Sequence, residues 1–108
     1  MKIDQYYFLD SKALGDLKPL ITNLSKYCKD RSLLLWIVSW SSKEEEKYLE
    51  IAVKGCKSMA TLYFALQVLA SNNHFIIDKC TVYADLSIEQ FLGVKMLLRK
   101  KDGFPSSY

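Results

Sequence analysis

Apolar and polar positions along the chain change period several times, and each change predicts a new secondary-structure element. Residues 3–9 are rich in aromatic strand formers and end at an Asp-Ser pair, which predicts a first strand. Across residues 17–28 the apolar positions recur at spacings of three and four, which predicts an amphipathic helix. Asp16 is the predicted N-cap of this helix, and Pro19 is tolerated in its first turn.

Two further strands follow a break in this helical pattern. Residues 32–41 are almost continuously apolar, and residues 48–54 alternate between apolar and polar side chains. The charged segment between them predicts a hairpin connection. Ser58 is then placed to cap a second helix over residues 59–71. Apolar side chains nearly encircle this helix, at Leu62, Tyr63, Phe64, Leu66, Val68 and Leu69. We therefore expect it to be largely buried.

The last third of the chain predicts a strand and a helix. Residues 74–84 form the fourth predicted strand, with an irregularity near Asp78. A capping-box pattern at residues 87–90 opens a third predicted helix, which runs over residues 87–101 and ends in a basic cluster. The first six elements, βαββαβ, have the order of a ferredoxin-like fold, in which two helices cover one face of an antiparallel sheet. The predicted class is therefore α+β, ferredoxin-like with an additional C-terminal helix.

The second predicted strand carries apolar side chains on both faces, although the ferredoxin-like plan puts it at a sheet edge. We expect Trp36 and Trp40 to face the helices, because the serines at the strand end then lie in water. The outer face would carry Leu33, Leu35 and Ile37. Burying each of these three side chains contributes roughly 1.5 to 3 kcal/mol, so they need a cover. The third helix, a partner protein or a second copy of the chain could supply it.

Length and composition place the protein among small globular domains. The chain has 108 residues, half of them apolar, and a net charge of +3, which is mild for a nucleic-acid binder. We expect one domain over residues 1–103 and a flexible tail over residues 104–108. No stretch approaches the roughly 20 apolar residues of a membrane span, and the first residues lack the pattern of a signal peptide. Three widely spaced cysteines, Cys28, Cys56 and Cys80, favour reduced thiols and a cytoplasmic location.

The sequence offers little that resembles catalytic chemistry. His74 is the single histidine, and no serine or cysteine is tied to it by a nucleophile motif. The four glycines are isolated, so no phosphate-binding loop is predicted, and no ligand spacing for zinc or calcium is present. We therefore expect a protein that is not an enzyme and that uses no cofactor and no metal.

The leading functional hypothesis is a cytoplasmic protein-binding module that masks the surface of a partner protein. Inhibitors, immunity proteins that neutralise a toxin and regulatory subunits have this profile, and the partner's identity stays open. The predicted contact residues are the apolar outer face of the second strand, one tyrosine of the third strand and an acidic turn. They are Leu33, Leu35, Ile37, Tyr48, Glu44, Glu45 and Glu46. The exposed second strand could also form a homodimer.

The alternative hypothesis is an RNA-binding or single-stranded nucleic-acid-binding domain. It would use the sheet face together with the basic residues of the predicted third helix, Lys95, Arg99, Lys100 and Lys101. The third strand lacks the Lys/Arg-Gly-Phe/Tyr type of signature that RNA-binding sheets carry, since it contains the sequence KYLEIAVKG. Protein binding is therefore preferred.

Overall fold

A computed structural model describes residues 14–42, 45–85 and 91–101. Its elements in chain order are a 3-10 turn (Gly15–Leu17), α1 (Lys18–Asp30), β1 (Leu34–Ser41), β2 (Lys47–Lys54), α2 (Met59–Asn72), β3 (Phe75–Asp85) and β4 (Phe91–Lys100). Two helices and a four-stranded sheet confirm the α+β class. The predicted strand at 3–9 and the predicted tail at 104–108 lie outside the described residues.

The four described strands form an antiparallel sheet in the order β1-β2-β4-β3. The predicted hairpin between β1 and β2 is confirmed, and β1 lies at one end of this order. A ferredoxin-like sheet places its first strand at the centre, beside the third and the fourth. In the predicted fold, the strand at residues 3–9 would be this first strand, and it would lie between β2 and β3. In the described sheet β4 lies between β2 and β3, so the ferredoxin-like topology is not confirmed.

The predicted third helix over residues 87–101 is wrong where the chain is described, because Phe91–Lys100 is the strand β4. Its apolar residues at alternate positions explain the outcome: Leu92, Val94, Met96 and Leu98. In a strand these four side chains share one face, where they join the core beneath the helices. Pairing with both β2 and β3 also satisfies the backbone of β4 along both of its edges.

The two helices begin in different ways. Asp16, the predicted N-cap of α1, lies in the 3-10 turn, while Leu17 occupies the N-cap position without a side-chain hydrogen bond. The carboxylate of Asp16 instead lies 3.1 Å from the ammonium of Lys100. The predicted cap of α2 is confirmed, since Ser58 Oγ accepts a hydrogen bond of 3.2 Å from the backbone N–H of Thr61.

Both helices pack on one face of the sheet, which we call the core face; the opposite one is the far face. The main core contains fully buried residues of α1, α2, β2 and β4, among them Leu24, Leu66, Ile51 and Leu98. A smaller cluster on the far face consists of Trp36, Ala52 and Phe91. The sheet therefore has apolar contacts on both faces, and the larger core lies under the helices.

Candidate functional site

The face assignment predicted for β1 is wrong for most of the strand. Trp36 is paired with Ala52 and lies on the far face, where it is 2% exposed and its ring centroid is 6.4 Å from that of Phe91. Its buried indole N–H has no acceptor among the described residues, so apolar packing holds it there. A register shift between Ile37 and Ser39 moves Trp40 to the core face, as predicted for that residue alone.

The three aliphatic residues predicted to face outward point the other way. Leu33, Leu35 and Ile37 are half-buried and pack against the main core, on the side of the two helices. Within the described residues, the cover that the sequence demanded for these side chains is therefore the main core beneath α1 and α2. Contact of these residues with a partner protein stays a prediction.

The other predicted contact residues lie apart from these aliphatic side chains. Glu45 and Glu46 are exposed at the turn that precedes β2, and Glu44 lies outside the described residues. Tyr48 is half-buried on the far face and donates a hydrogen bond of 3.0 Å to Glu50 Oε1. The predicted protein-binding residues thus do not form one continuous surface within the described ranges.

The basic residues of the nucleic-acid hypothesis are divided between the two faces of the sheet. Lys95 is exposed on the far face, and Arg99 on the same face lies 2.9 Å from both carboxylate oxygens of Asp78. Lys100 points to the core side and pairs with Asp16, and Lys101 donates a hydrogen bond of 2.8 Å to Ser71 Oγ. Alternation along β4 causes this division, because a strand sends successive side chains to opposite faces.

Glu50 is the centre of a hydrogen-bond cluster on the far face. Its carboxylate accepts hydrogen bonds from the hydroxyls of Ser39 at 3.4 Å, Tyr48 at 3.0 Å and Tyr83 at 2.9 Å. Partial burial, followed by the hydrogen bond to Glu50, raises the pKa of Tyr48 above its ordinary value. Tyr48 therefore remains a protonated donor at neutral pH, and the cluster joins β1, β2 and β3 across the sheet.

Tyr83 reaches Glu50 only because the strand between them carries a glycine. Gly93 on β4 pairs directly with Tyr83 on one side and with Ala52 on the other. A Cβ atom added at Gly93 would overlap the ring of Tyr83. The hydroxyl end of the tyrosine ring thus lies over the glycine, and this close approach requires the absence of a side chain at position 93.

Among residues 14–42, 45–85 and 91–101, the large apolar side chain most exposed to solvent is on α2. Phe64 is 69% exposed, and Met59, Tyr63 and Val68 are between 42% and 44% exposed. Only Leu62, Leu66 and Ala70 of this helix are buried, so the expectation of a largely buried helix is wrong. We call the exposed set Met59, Tyr63, Phe64 and Val68 the α2 face. A hydrogen bond of 2.8 Å from Gln67 Nε2 to Tyr63 Oη holds Tyr63 in place on it.

The α2 face escaped sequence reasoning because the residues that encircle the helix were all assigned to the core. A helix that lies on one sheet in a two-layer fold buries a single stripe, and its outward side remains in solvent. The available signal was the absence of charge: α2 contains no Asp, Glu, Lys or Arg over 14 residues. An outward helix side that is apolar and lacks charged residues departs from the polar outer face that a surface helix ordinarily carries.

Two of the three cysteines, Cys28 and Cys80, lie in surroundings that oppose formation of a thiolate. Burial, together with the neighbouring Cys56, raises the pKa of Cys28 to about 11, and the opposing effect of Arg31 is smaller. Burial also raises the pKa of Cys80. Both thiols are therefore protonated at neutral pH. Among the described residues no group of three or more His, Cys, Asp or Glu side chains is arranged to hold a metal ion.

Comparison with family models, curated proteins and solved structures gives no match to this chain. Neither α1 nor α2, nor any other helical segment of the described ranges, has the length and apolar character needed to cross a lipid bilayer.

Proposed function

We propose that the protein is a protein-binding module that inserts α2 into an apolar groove of a partner protein. The observation that carries this proposal is the exposure of Phe64, 69%, at the middle of an uncharged helix face. Large contiguous apolar patches on soluble domains commonly mark interaction sites. Masking of the partner, as an inhibitor, an immunity protein or a regulatory subunit does, is the mode of action that we propose.

The shape of the α2 face favours a concave partner. At roughly 100° per residue, the four exposed side chains cover an arc of roughly 180° around the helix axis. A flat surface can touch only part of this arc, whereas a groove contacts all of it, as in the helix-in-groove mode of recognition. The helix is about 21 Å long at 1.5 Å per residue, a length that one groove can accommodate.

Two other occupants of the α2 face have less support. Helices that lie in a membrane interface carry lysine and arginine on their polar side, and α2 contains neither. Nucleic-acid binding needs a basic surface, and the basic residues of β4 are divided between two faces or paired with Asp16 and Asp78. A protein groove is the occupant that an uncharged aromatic helix face suits best.

The test compares Phe64→Glu with Thr22→Glu, which places the same charge on the exposed side of α1. A partner is first isolated by co-purification from the native host, and its affinity for each purified variant is then measured by calorimetry. We expect Phe64→Glu to weaken the complex at least about 30-fold, as for a buried hot-spot residue, and Thr22→Glu to leave it unchanged.

Backbone amide shifts in the NMR spectrum of the complex give an independent check on the same complex. The proposal predicts that the largest changes fall within residues 59–72. A partner that binds Phe64→Glu as well as the unmodified protein, with shifts confined to other elements, would contradict it.

A further inference from the structure

A depression of about 190 Å³ lies on the far face, away from α2. Its lining residues are Tyr48, Lys79, Thr81, Lys95, Met96 and Leu97. The register explains how three strands contribute to it: Leu97 of β4 pairs with Tyr48 of β2 and with Lys79 of β3. In the adjacent row Lys95 pairs with Thr81. An apolar floor is thus bordered by two lysines, a phenol and a hydroxyl.

The size of the depression limits the ligand. An engineered cavity of about 150 Å³ in another protein holds one benzene molecule. Sites for drug-sized ligands are larger, about 300 to 1,000 Å³. The depression therefore suits a single six-membered ring with one small substituent.

The charge around the depression selects the substituent. Lys79 and Lys95 are both exposed, and neither forms an ion pair with any described residue. Glu50 is the cross-strand neighbour of Lys95, and its carboxylate, which the hydroxyls of Ser39, Tyr48 and Tyr83 hold in place, offsets part of the charge of that lysine. The Lys95 ammonium lies 5.8 Å from the ring centroid of Tyr83. Two lysine side chains and one carboxylate therefore leave a net positive charge beside an apolar floor, which attracts a ligand of opposite charge.

We propose that this depression binds a free monocyclic aromatic anion, an aryl carboxylate or an aryl phosphate. The ring packs on Leu97 beside Tyr48, and the anionic group lies between the ammonium groups of Lys79 and Lys95. Thr81 offers a hydroxyl donor to the same group. The site is independent of the proposed contact through α2, because it lies on the opposite face of the sheet.

Titration of the isotope-labelled protein with benzoate and with phenyl phosphate, followed by NMR amide shifts at low salt, tests the site. Benzamide, acetate and inorganic phosphate serve as matched ligands that lack the charge or the ring. We expect saturable shifts at residues 48, 79–81 and 95–97 with the two aromatic anions, and weaker shifts with the three controls. Whichever of the two aromatic anions binds with the higher affinity shows whether the site prefers a carboxylate or a phosphate group.

Single substitutions then test whether the ammonium groups of Lys79 and Lys95 contribute to anion binding. Lys79→Met and Lys95→Met should each weaken binding about two- to five-fold, as expected for one exposed charge pair, and Lys29→Met on α1 should not. Shifts of equal size with benzamide, acetate or inorganic phosphate would overturn the proposal, as would the absence of local shifts at millimolar ligand. A single-stranded oligonucleotide that binds the same residues more tightly than both aromatic anions would also overturn it.

Discussion

The two helices lie on the same face of one sheet and have nearly the same length, yet they present opposite surfaces to solvent. α1 buries Leu20, Ile21, Leu24 and Cys28 and carries its lysines and aspartate outward. α2 buries a stripe of three residues and turns Met59, Tyr63, Phe64 and Val68 outward. Each helix needs only one apolar stripe to join the core. The outward apolar side chains of α2 therefore have no counterpart on α1, and they are the basis of the binding role that we propose.

The largest predicted effect comes from replacing one residue on the buried face of α2 and one on its exposed face by alanine. Leu66→Ala should lower the free energy of unfolding by about 2 to 5 kcal/mol, because it leaves a cavity in the main core. Phe64→Ala should change it by less than about 0.5 kcal/mol, because the side chain is mostly in solvent. Urea unfolding followed by circular dichroism measures both values.

Leu24→Ala on α1 provides the matched control, and its cost should equal that of Leu66→Ala within the same range of about 2 to 5 kcal/mol. A loss of stability for Phe64→Ala as large as that for Leu66→Ala would show that the α2 face supports the fold. The argument for a binding role would then fail.

A smaller effect should separate the two helix N-termini. Ser58→Ala removes the side-chain acceptor at the start of α2 and should cost about 1 kcal/mol. Asp16→Ala, near the start of α1, removes an ion pair of 3.1 Å with the partly exposed Lys100 and a longer one of 3.9 Å with the buried Lys47. Lys47 keeps its hydrogen bond to the carbonyl of Ser42, so the variant should cost only about 0.5 kcal/mol. Thermal unfolding of the two variants in parallel gives the ranking, and a larger loss for Asp16→Ala would reverse our description of the two termini.

The last prediction concerns how the stability depends on pH through Cys28, on the buried side of α1. This contribution of Cys28 does not change with pH near neutrality, so it is the smallest of the predicted effects there. Burial raises its pKa from 9.0 to about 11 in the folded protein, so the folded state retains the proton that the unfolded state releases first. The stabilisation is complete below about pH 9 and is lost as the pH rises towards 11. Unfolding midpoints between pH 8 and 11 should therefore fall less steeply for Cys28→Ala than for the unmodified protein. Parallel slopes would contradict the burial of this thiol.

Sequence periodicity predicted β2, β3 and both helices because their patterns are local. Leu49, Ile51 and Val53 alternate cleanly, and the stripe that begins at Leu20 recurs at helical spacing. The irregularity predicted near Asp78 is confirmed by the register shift between Ile77 and Lys79. Where one period holds through a segment, its buried side follows directly.

Two features could not be predicted because they depend on neighbouring strands. The register shift in β1 sends Trp36 and Trp40 to opposite faces, and an alternating pattern gives no sign of it. In β4 the alternation from Leu92 to Leu98 was present, but a capping-box pattern at residues 87–90 outweighed it in the sequence-based assignment. Pairing with β2 and β3 decides in favour of the strand. The exposure of the α2 face could not be predicted either, because it depends on whether another element of the fold covers the outer side of the helix.

Because the ring of Tyr83 lies over Gly93, the residue types that are tolerated at positions 83 and 93 depend on each other. Any residue other than glycine at position 93 displaces the ring of Tyr83, because its Cβ atom would overlap the ring. The hydrogen bond from Tyr83 to Glu50 is then lost. Once position 83 is small, the same replacement meets no ring. In a mutational library the tolerated residues at position 93 should therefore depend on the residue at position 83, so a related chain that lacks the tyrosine is free to lack the glycine as well.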